Sequence, residues 1–369
     1  MDFADIQTPA LLVAPDIVAA NCARMSARAH ALGVRLRPHM KTHKTLEIGR
    51  MQTAGQFGGI TVSTLAEARF FADGGCDDIT YAVPMVPGKA GAALDLLQRG
   101  LRLNLLVDHP DAAADLQALC AAQNLRARVF LKIDCGYHRA GIPADDPRAV
   151  SLARDLERAP ALDFAGLLTH AGHSYDCTDV AGVRAVAAQE VGLTVGLARR
   201  LRDEGIACPE VSIGSTPTCV HLEDATGVTE IRPGNYALFD CFQAAIGSCT
   251  EADIAGCVLS TVIGHYPERG ALLLDAGALA LGKDPGATHV DPHCGFGRVV
   301  GFPHLRITGL SQEHGKVTGL RPEDAAALPV GTRVRVLPNH ICLTAALYAA
   351  YHVVEGGRIT GQMTPARGW

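Results

Sequence analysis

The regular alternation of strand-like and helix-like patterns between residues 34 and 231 constrains the fold of this chain more than any other feature. Its apolar runs are separated by Ala- and Leu-rich stretches whose spacing gives each helix one buried face. Eight strands that alternate with helices predict an α/β fold, a closed (β/α)8 TIM-type barrel rather than an open sheet. The predicted strands are 34–40, 59–63, 79–83, 101–107, 127–133, 162–169, 210–213 and 228–231.

The last third of the chain has a different pattern. After Asp240 the helical periodicity nearly disappears, and β-like runs at 257–265, 271–275 and 332–337 are separated by Gly and Pro. We therefore expect two domains, a barrel at 15–240 and a mostly β domain. The β domain is expected to combine 1–14, which contains an early strand, with 241–369.

Composition excludes several classes of partner. Hydrophobic residues make up 48% of the 369 residues and charged residues 19%, and the net charge is −5 without a polybasic block. Nucleic acid and anionic membranes are therefore not expected partners, and a small molecule is. The acidic N-terminus is unlike a secretory signal, and no stretch is expected to reach transmembrane length. Together with scattered cysteines that lack a Cys-x-x-Cys pair, this predicts a cytoplasmic protein.

Lys41 lies where the first predicted barrel strand ends, within the stretch 37–44, which reads RPHMKTHK. The active sites of such barrels are built at the carboxyl ends of the strands. Partial burial there lowers the pKa of a lysine and makes its amine a usable nucleophile, as a Schiff-base lysine requires. The alternative is that this corner simply begins a solvated helix.

Two further strand ends predict a seat for phosphate. The run 211–218 ends in a turn rich in hydroxyl groups, and the run 230–236 contains a glycine that allows close backbone approach to an anion. These are the seventh and eighth strand ends, where barrels often bind phosphate. The candidate residues are Ser215, Thr216, Gly234 and Tyr236.

The fifth and sixth strand ends add a cation and aromatic rings. Arg139 follows the fifth strand, and His170, His173 and Tyr175 follow the sixth. A lysine, a phosphate seat, an arginine and a stacking ring are what pyridoxal 5′-phosphate (PLP) needs. Two simpler interpretations stay open, a salt-bridge role for Arg139 and a core role for His173.

The segment 337–344 contains a candidate metal site. If this segment is extended, His340 and Cys342 point to the same face and are able to bind one ion. Imidazole and thiolate suit Zn²⁺ better than Mg²⁺ or Ca²⁺. Because the chain has twelve cysteines, a chance pairing is the alternative.

Taken together and in order, these motifs resemble the D-serine dehydratase and D-threonine aldolase family, which are fold-type III PLP enzymes related to alanine racemase. The resemblance extends from Thr8 to Trp369. The motifs that carry it are 37–44, 60–64 (ITVST), 214–218 (GSTPT), 232–236 (RPGNY), 312–315 (QEHG) and 338–342 (PNHIC).

The resemblance implies roles for individual residues. Lys41 matches the Schiff-base lysine, Arg139 the arginine near the phenolic oxygen of the cofactor, and either His170 or Tyr175 the residue beside its ring. His340 and Cys342 match the divalent metal site of the dehydratase branch, whereas the aldolase branch more often has His-x-Asp. The phosphate cradle is matched by Ser215, Thr216, Gly234, Asn235 and Tyr236.

The resemblance also implies an activity, the metal-dependent dehydration of a D-3-hydroxy amino acid to a 2-oxo acid and ammonia. D-Serine, D-threonine and 3-hydroxy-D-aspartate are the candidate substrates, Zn²⁺ is the favoured metal over Mn²⁺ or Mg²⁺, and the family implies a homodimer. Retro-aldol cleavage to glycine and an aldehyde is the main alternative, with His43 as a candidate base. An amino-acid racemase and a PLP carrier protein are two others.

Overall fold

The computed structural model describes residues 2–369, except for the side chain of Ala325. The chain divides into two compact units. One consists of the residues up to Ala23 together with Asn235–Pro365, and the other of Arg24–Gly234 together with Ala366–Trp369. We call them the β unit and the barrel unit.

The first strand is β1 (Ala10–Val13), and the first α-helix, α1 (Pro15–Ala31), follows it. The helix starts at a proline, which has the backbone φ of a first helical residue and no N–H to leave unsatisfied. Asp16 lies inside the first turn, where its negative charge is favourable for the helix dipole. Gly33 ends this region with a φ of 68°, a conformation that favours glycine.

The barrel unit contains a parallel sheet whose strand order is β2-β10-β9-β8-β6-β5-β4-β3. A parallel bridge between His39 and Thr61, with Thr61 N donating to Pro38 O at 2.9 Å, joins the two ends of this order and closes the barrel. The predicted eight-stranded barrel fold is confirmed. The strands are β2 (Arg35–Leu36), β3 (Ile60–Val62), β4 (Asp78–Pro84), β5 (Arg102–Val107), β6 (Ala127–Asp134), β7 (Ile142–Pro143, paired with β6 only), β8 (Leu162–Leu168), β9 (Glu210–Ile213) and β10 (Glu230–Ile231).

Helices alternate with these strands, as the periodicity predicts. Prolines begin several of them, and capping side chains such as Thr64 and Asp179 accept hydrogen bonds from the first turn. The helices are α2 (Leu46–Thr53), α3 (Leu65–Asp73), α4 (Pro87–Gln98), α5 (Pro110–Ala122), α6 (Pro147–Arg158), α7 (Val180–Asp203) and α8 (Thr216–His221), with 3₁₀ turns at Met40–Thr42 and Gly172–Asp176.

Helix α7 differs from one expectation. It has 24 residues and a window of mean hydropathy 1.2, so by length and composition it is able to cross a membrane, although no stretch was expected to reach that length. One helix of this length and hydropathy is weak evidence for a membrane span, because buried core helices often have the same length and hydropathy. Glu190 in its middle is fully buried and accepts hydrogen bonds from Thr169 Oγ1 (2.8 Å) and Gly214 N (3.0 Å), as a helix packed on the barrel does.

The β unit is built around a sheet of order β14-β15-β12-β11-β1-β17-β18, and β16 pairs with β11 and β13. β1 is antiparallel to β11 and parallel to β17, so the start of the chain is part of this sheet. Ile6, Leu12 and Leu259 pack in its core. The remaining strands are β11 (Gly256–Tyr266), β12 (Ala271–Leu274), β13 (Arg298–Val299), β14 (Arg306–Leu310), β15 (Gly315–Thr318), β16 (Arg333–Leu337), β17 (Tyr351–Glu355) and β18 (Arg358–Met363). The helices are α9 (Cys241–Ala245), α10 (Ala278–Leu281), α11 (Pro322–Ala325) and α12 (Ile341–Ala346), with 3₁₀ turns at Phe3–Asp5, Asn235–Ala237, Glu251–Asp253 and Pro267–Arg269.

A buried ion-pair network links the residue that follows β2 to strands β4 and β10. Arg37, only 1% exposed, donates from Nε to Glu230 Oε2 (2.9 Å) and from Nη1 to Asp78 Oδ1 (2.6 Å). Burial raises the pKa of each carboxyl group, but the contacts with Arg37 outweigh it and leave both pKa values below the ordinary range. The contacts with Arg37 therefore help to keep both buried carboxylates ionised.

Replacing Arg37 with methionine is expected to lower the free energy of unfolding by about 3–5 kcal/mol, because two buried carboxylates lose their nearest counter-ion. Since the carboxyl pKa values are depressed in the folded state, the network stabilises fully above a pH of about 4 and loses this effect as the pH falls further. Urea unfolding at several pH values measures both effects.

The matched control is Arg99→Met, which removes an exposed ion pair with Asp73 and is expected to change the free energy of unfolding by less than about 1 kcal/mol. The network is not stabilising in this way if Arg37→Met lowers the free energy of unfolding by as little as Arg99→Met does. The same conclusion follows if the decrease caused by Arg37→Met is no smaller in acid.

Candidate active site

Lys41 lies in the 3₁₀ turn Met40–Thr42, just beyond the carboxyl end of β2. Residues 34–40 were predicted as one strand, but β2 covers only Arg35–Leu36. Beyond it, Arg37 N still donates to Ile231 O (3.0 Å) and His39 N to Pro233 O (2.9 Å), without forming a longer strand. His39 Nδ1 accepts a hydrogen bond from Lys41 N (3.3 Å) and so caps the turn. The lysine is half-buried at the mouth of the barrel.

The surroundings of Lys41 are strongly cationic. Burial, and after it the charge of Lys41, hold the pKa values of His39 and His170 well below the ordinary histidine value, and Arg139 adds to both shifts. Lys132, buried on β6, has its pKa lowered to about 8, mainly by burial and then by Arg232. Both imidazoles are therefore neutral near pH 7, and the barrel mouth is suited to an anion.

Arg139 is held on the loop after β6. Asp134 organises this loop by accepting hydrogen bonds from the backbone N–H groups of Gly136 and His138, both at 3.0 Å. The guanidinium carbon of Arg139 lies 5.1 Å from the ring centroid of Tyr137, a cation–π geometry. Arg139 is exposed, and its positive charge helps to lower the pKa values of His39 and His170.

His170 and Tyr175 follow β8 on the same side of the barrel. His170 Nδ1 lies 3.0 Å from Gly214 O, which fixes the ring against the loop after β9. Its ring centroid is 6.1 Å from that of Tyr137, with an interplanar angle of 80°. Tyr175 lies in the 3₁₀ turn Gly172–Asp176 and is half-buried. His170 and Arg139 therefore both lie beside Tyr137, and the charge of Lys41 also acts on the His170 ring.

The loops after β9 and β10 meet at Thr216 and Gly234. Thr216 Oγ1 accepts a hydrogen bond from Gly234 N (3.2 Å), and both residues are buried. A Cβ atom on Gly234 would lie only 2.9 Å from His39 O, so glycine is needed for this close approach. Ser215 Oγ lies within hydrogen-bond distance of Ser174 Oγ (2.9 Å) and Thr218 Oγ1 (3.0 Å).

The His340–Cys342 segment is not extended, so the reason given for pairing these side chains was wrong. His340 is the N-cap of α12, and Cys342 lies in the first turn of that helix. Cys342 nevertheless lies close enough to His340 to raise the pKa of its imidazole. Among residues 2–369, no group of three or more His, Cys, Asp or Glu side chains is arranged to hold a metal ion.

Acidic and amide side chains surround this pair within the β unit. Asp284 Oδ2 lies 2.8 Å from His340 Nδ1, and Asn235 Nδ2 lies 3.7 Å from Cys342 Sγ. The same amide donates to Asp240 Oδ2 (2.7 Å), which also accepts from Ile341 N (3.0 Å). Burial lowers the pKa of His340, but Asp284 and Cys342 outweigh it and raise the pKa well above the ordinary value.

The structure thus adds neighbours that the sequence did not indicate. Asn235, grouped with the phosphate cradle, has its amide beside Cys342, and its neighbour Tyr236 is fully buried. His43, a candidate base, is also fully buried and uses both ring nitrogens locally, on Gln52 and Thr45. Asp284 could not be picked out from the sequence. Its contact with His340, which is 56 positions away, is what distinguishes it from other loop aspartates.

A closed parallel barrel with a lysine at a strand end, followed by a mostly β unit, defines an alanine racemase-like protein. Residues 13–240 match the family model of the alanine racemase N-terminal domain, and residues 255–354 match that of a serine dehydratase domain. The chain belongs to this family, and the resemblance inferred from the motifs is confirmed.

Three relatives illustrate the family. D-Serine dehydratase from Dictyostelium discoideum is 39% identical over 100% of this chain and 98% of its own length. The structure of D-threo-3-hydroxyaspartate dehydratase from Delftia sp. HT23 has a TM-score of 0.95 at 38% identity, with both chains fully covered, and a variant of an enzyme of that name is known in a metal-free form. D-Threonine aldolase from Arthrobacter sp. is 29% identical over 96% of this chain and 90% of its own. Dehydratases and aldolases are lyases, so the predicted enzyme class agrees with the family.

Proposed function

We propose that this protein is a PLP- and divalent-metal-dependent lyase that dehydrates a D-3-hydroxy amino acid to a 2-oxo acid and ammonia. The observation that carries the proposal is the half-buried Lys41 at the mouth of a parallel barrel, among cationic side chains that favour an anionic cofactor. The full-length likeness to two enzymes named dehydratases supports the choice of reaction.

The barrel residues fit the cofactor. A phosphate group and a phenolate are both anionic, and the cationic mouth of the barrel would stabilise them. Lys41 would hold the cofactor covalently, Arg139 would face its phenolic oxygen, and His170 or Tyr175 would lie beside its ring. The cradle for the phosphate would be formed by Ser215, Thr216, Gly234, Asn235 and Tyr236. When bound, PLP supplies an electron sink for negative charge that develops at the substrate Cα.

Lys41 has a second role in the proposal. Its Nζ atom takes the proton from the substrate Cα, since an amine with lowered hydration is a suitable base near neutral pH. His39 and His170 stay neutral beside it and so do not compete for that proton. Arg139 orients the anionic groups.

His340 and Cys342 are the proposed metal ligands, and water or substrate completes the coordination. Their imidazole and thiolate donors favour Zn²⁺, with Mn²⁺ and Mg²⁺ as weaker candidates. The acidic neighbours that favour a proton on His340 would favour a divalent cation in its place. A cation held by these two residues would supply Lewis-acid assistance to the loss of the β-hydroxyl group, which is otherwise a poor leaving group.

The remaining assignments complete the proposal. The cofactor belongs to a barrel domain at 15–240, and the metal to a β domain made of 1–14 and 241–369. We propose a cytoplasmic homodimer with a small-molecule substrate and no nucleic-acid or membrane partner, in keeping with the net charge of −5. Light scattering of the purified protein tests the dimer.

The decisive experiment is a product assay. Purified protein is incubated with D-serine, D-threonine or 3-hydroxy-D-aspartate, with and without chelator, and oxo acid and ammonia are measured against glycine and aldehyde. We expect ammonia and oxo acid in equal amounts, with loss of turnover in chelator. Abundant glycine would instead assign the aldolase reaction that the D-threonine aldolase likeness supports. Chelator-resistant formation of the L-isomer would identify a racemase, and cofactor binding without any reaction a carrier.

A further inference from the structure

We propose that Asp284 is a positioning residue that orients His340 toward the metal ion. The proposal rests on the metal site suggested above and adds a residue that no motif indicates. Asp284 Oδ2 lies 2.8 Å from His340 Nδ1, and both side chains are partly shielded from solvent, with exposures of 20% and 31%.

The carboxylate of Asp284 is itself fixed in place. Its Oδ1 atom accepts a hydrogen bond from Gly286 N (2.8 Å), which forms an Asx turn. Asn339, the residue before His340, donates from Nδ2 to the backbone oxygens of Asp284 (3.1 Å) and Gly295 (2.7 Å). The segment with Asn339 and His340 is thus bound to Asp284 in two ways. His340 contacts the Asp284 side chain, and Asn339 contacts the Asp284 backbone oxygen.

The contact has a direct chemical consequence for His340. When Nδ1–H donates to the carboxylate, the lone pair of the neutral ring is on Nε2, and the ring cannot rotate without losing the hydrogen bond. A carboxylate on the outer nitrogen also makes the imidazole a stronger donor to a metal. Asp284 therefore selects the tautomer and the orientation of the proposed ligand.

A purely structural role is the competing explanation, since Asp284 also holds its own turn. The same loop contains a matched control, Asp291, whose Oδ1 atom accepts a hydrogen bond from His293 N (2.9 Å) in an equivalent turn. No contact between Asp291 and His340 is found in the described residues. Asp291→Asn thus removes one negative charge from the loop without changing the neighbour of the proposed ligand.

The test is a Zn²⁺ dissociation constant, measured on the full-length protein with its cofactor by competition with a coloured chelator. We expect Asp284→Ala to weaken Zn²⁺ binding by about 10–100-fold and Asp284→Asn to weaken it less, because the amide keeps the turn and a hydrogen bond but not the charge. Asp291→Asn should bind as the wild type does. Urea unfolding of the metal-free proteins is measured in parallel.

The outcomes separate the role of Asp284 from the existence of the metal site. Wild-type affinity in both Asp284 variants would overturn the inference while leaving the metal site intact. Equal weakening in Asp291→Asn, or a loss of affinity that follows a loss of stability of the metal-free protein, would assign Asp284 a structural role and also overturn it. A wild-type protein that binds no Zn²⁺ would refute the proposed metal site itself. Should Asp284→Ala fail to fold, Asp284→Asn alone decides.

Discussion

Lys41→Ala is expected to remove the yellow colour of the purified enzyme and to lower kcat by more than about 10³-fold. The substitution removes the amine proposed to hold the cofactor and also the base proposed for the Cα proton, and a proton-transfer group alone contributes about 10²–10⁴-fold. The fold should be unaffected, because the turn Met40–Thr42 is held by backbone contacts and by His39. An absorption spectrum and a turnover assay measure the two effects.

Two other lysines make this test specific. Lys132 is also buried in the barrel, with its pKa lowered to about 8, and is the rival position for a reactive amine. Lys44 is three residues from Lys41 but forms an ion pair with Glu67 (2.9 Å). Lys44→Ala should keep the colour and the turnover. Retention of both by Lys41→Ala, or loss of the colour in Lys132→Met instead, would refute the assignment of Lys41.

Removal of the metal ligands is expected to have the second largest effect. His340→Ala and Cys342→Ala should each lower kcat by at least about 10²-fold, because Lewis-acid assistance to a leaving group is worth several kcal/mol and each 1.4 kcal/mol is a factor of ten. The yellow colour should remain, since the proposed cofactor residues Lys41 and Arg139 are unchanged. Turnover, bound Zn²⁺ and the absorption spectrum are measured on the same samples.

The control for these variants is Cys76→Ala, which removes another half-buried thiol from a position in the barrel unit. It should retain both metal and turnover. In the wild type, chelation should reproduce the loss, and added Zn²⁺ should restore activity there but not in the two variants. Full activity of either variant without bound metal would show that His340 and Cys342 do not support the reaction through a metal ion.

Local sequence pattern predicts some elements of this structure correctly and others incorrectly. The strand and helix alternation predicts the barrel because apolar periodicity is a property of a few consecutive residues. Even so, the strand expected at 34–40 ends at Leu36, and the segment around His340 is a helix cap rather than a strand. In both places a proline precedes the site residues, and a tertiary contact decides the path of the chain after it. His39 pairs with Thr61, and Ile341 N is held by Asp240.

The sequence by itself determined the class of fold and the chemical types available at the strand ends, including Lys41, Arg139 and the His340–Cys342 pair. Residue identity and short-range periodicity are local properties, so they can be read without coordinates. Only the tertiary structure decided which groups meet. It placed Asp284 on His340, enclosed Arg37 between Glu230 and Asp78, and committed His43 to a buried hydrogen bond with Gln52. These contacts join residues far apart in the chain or depend on burial, and the packing of the whole unit determines both.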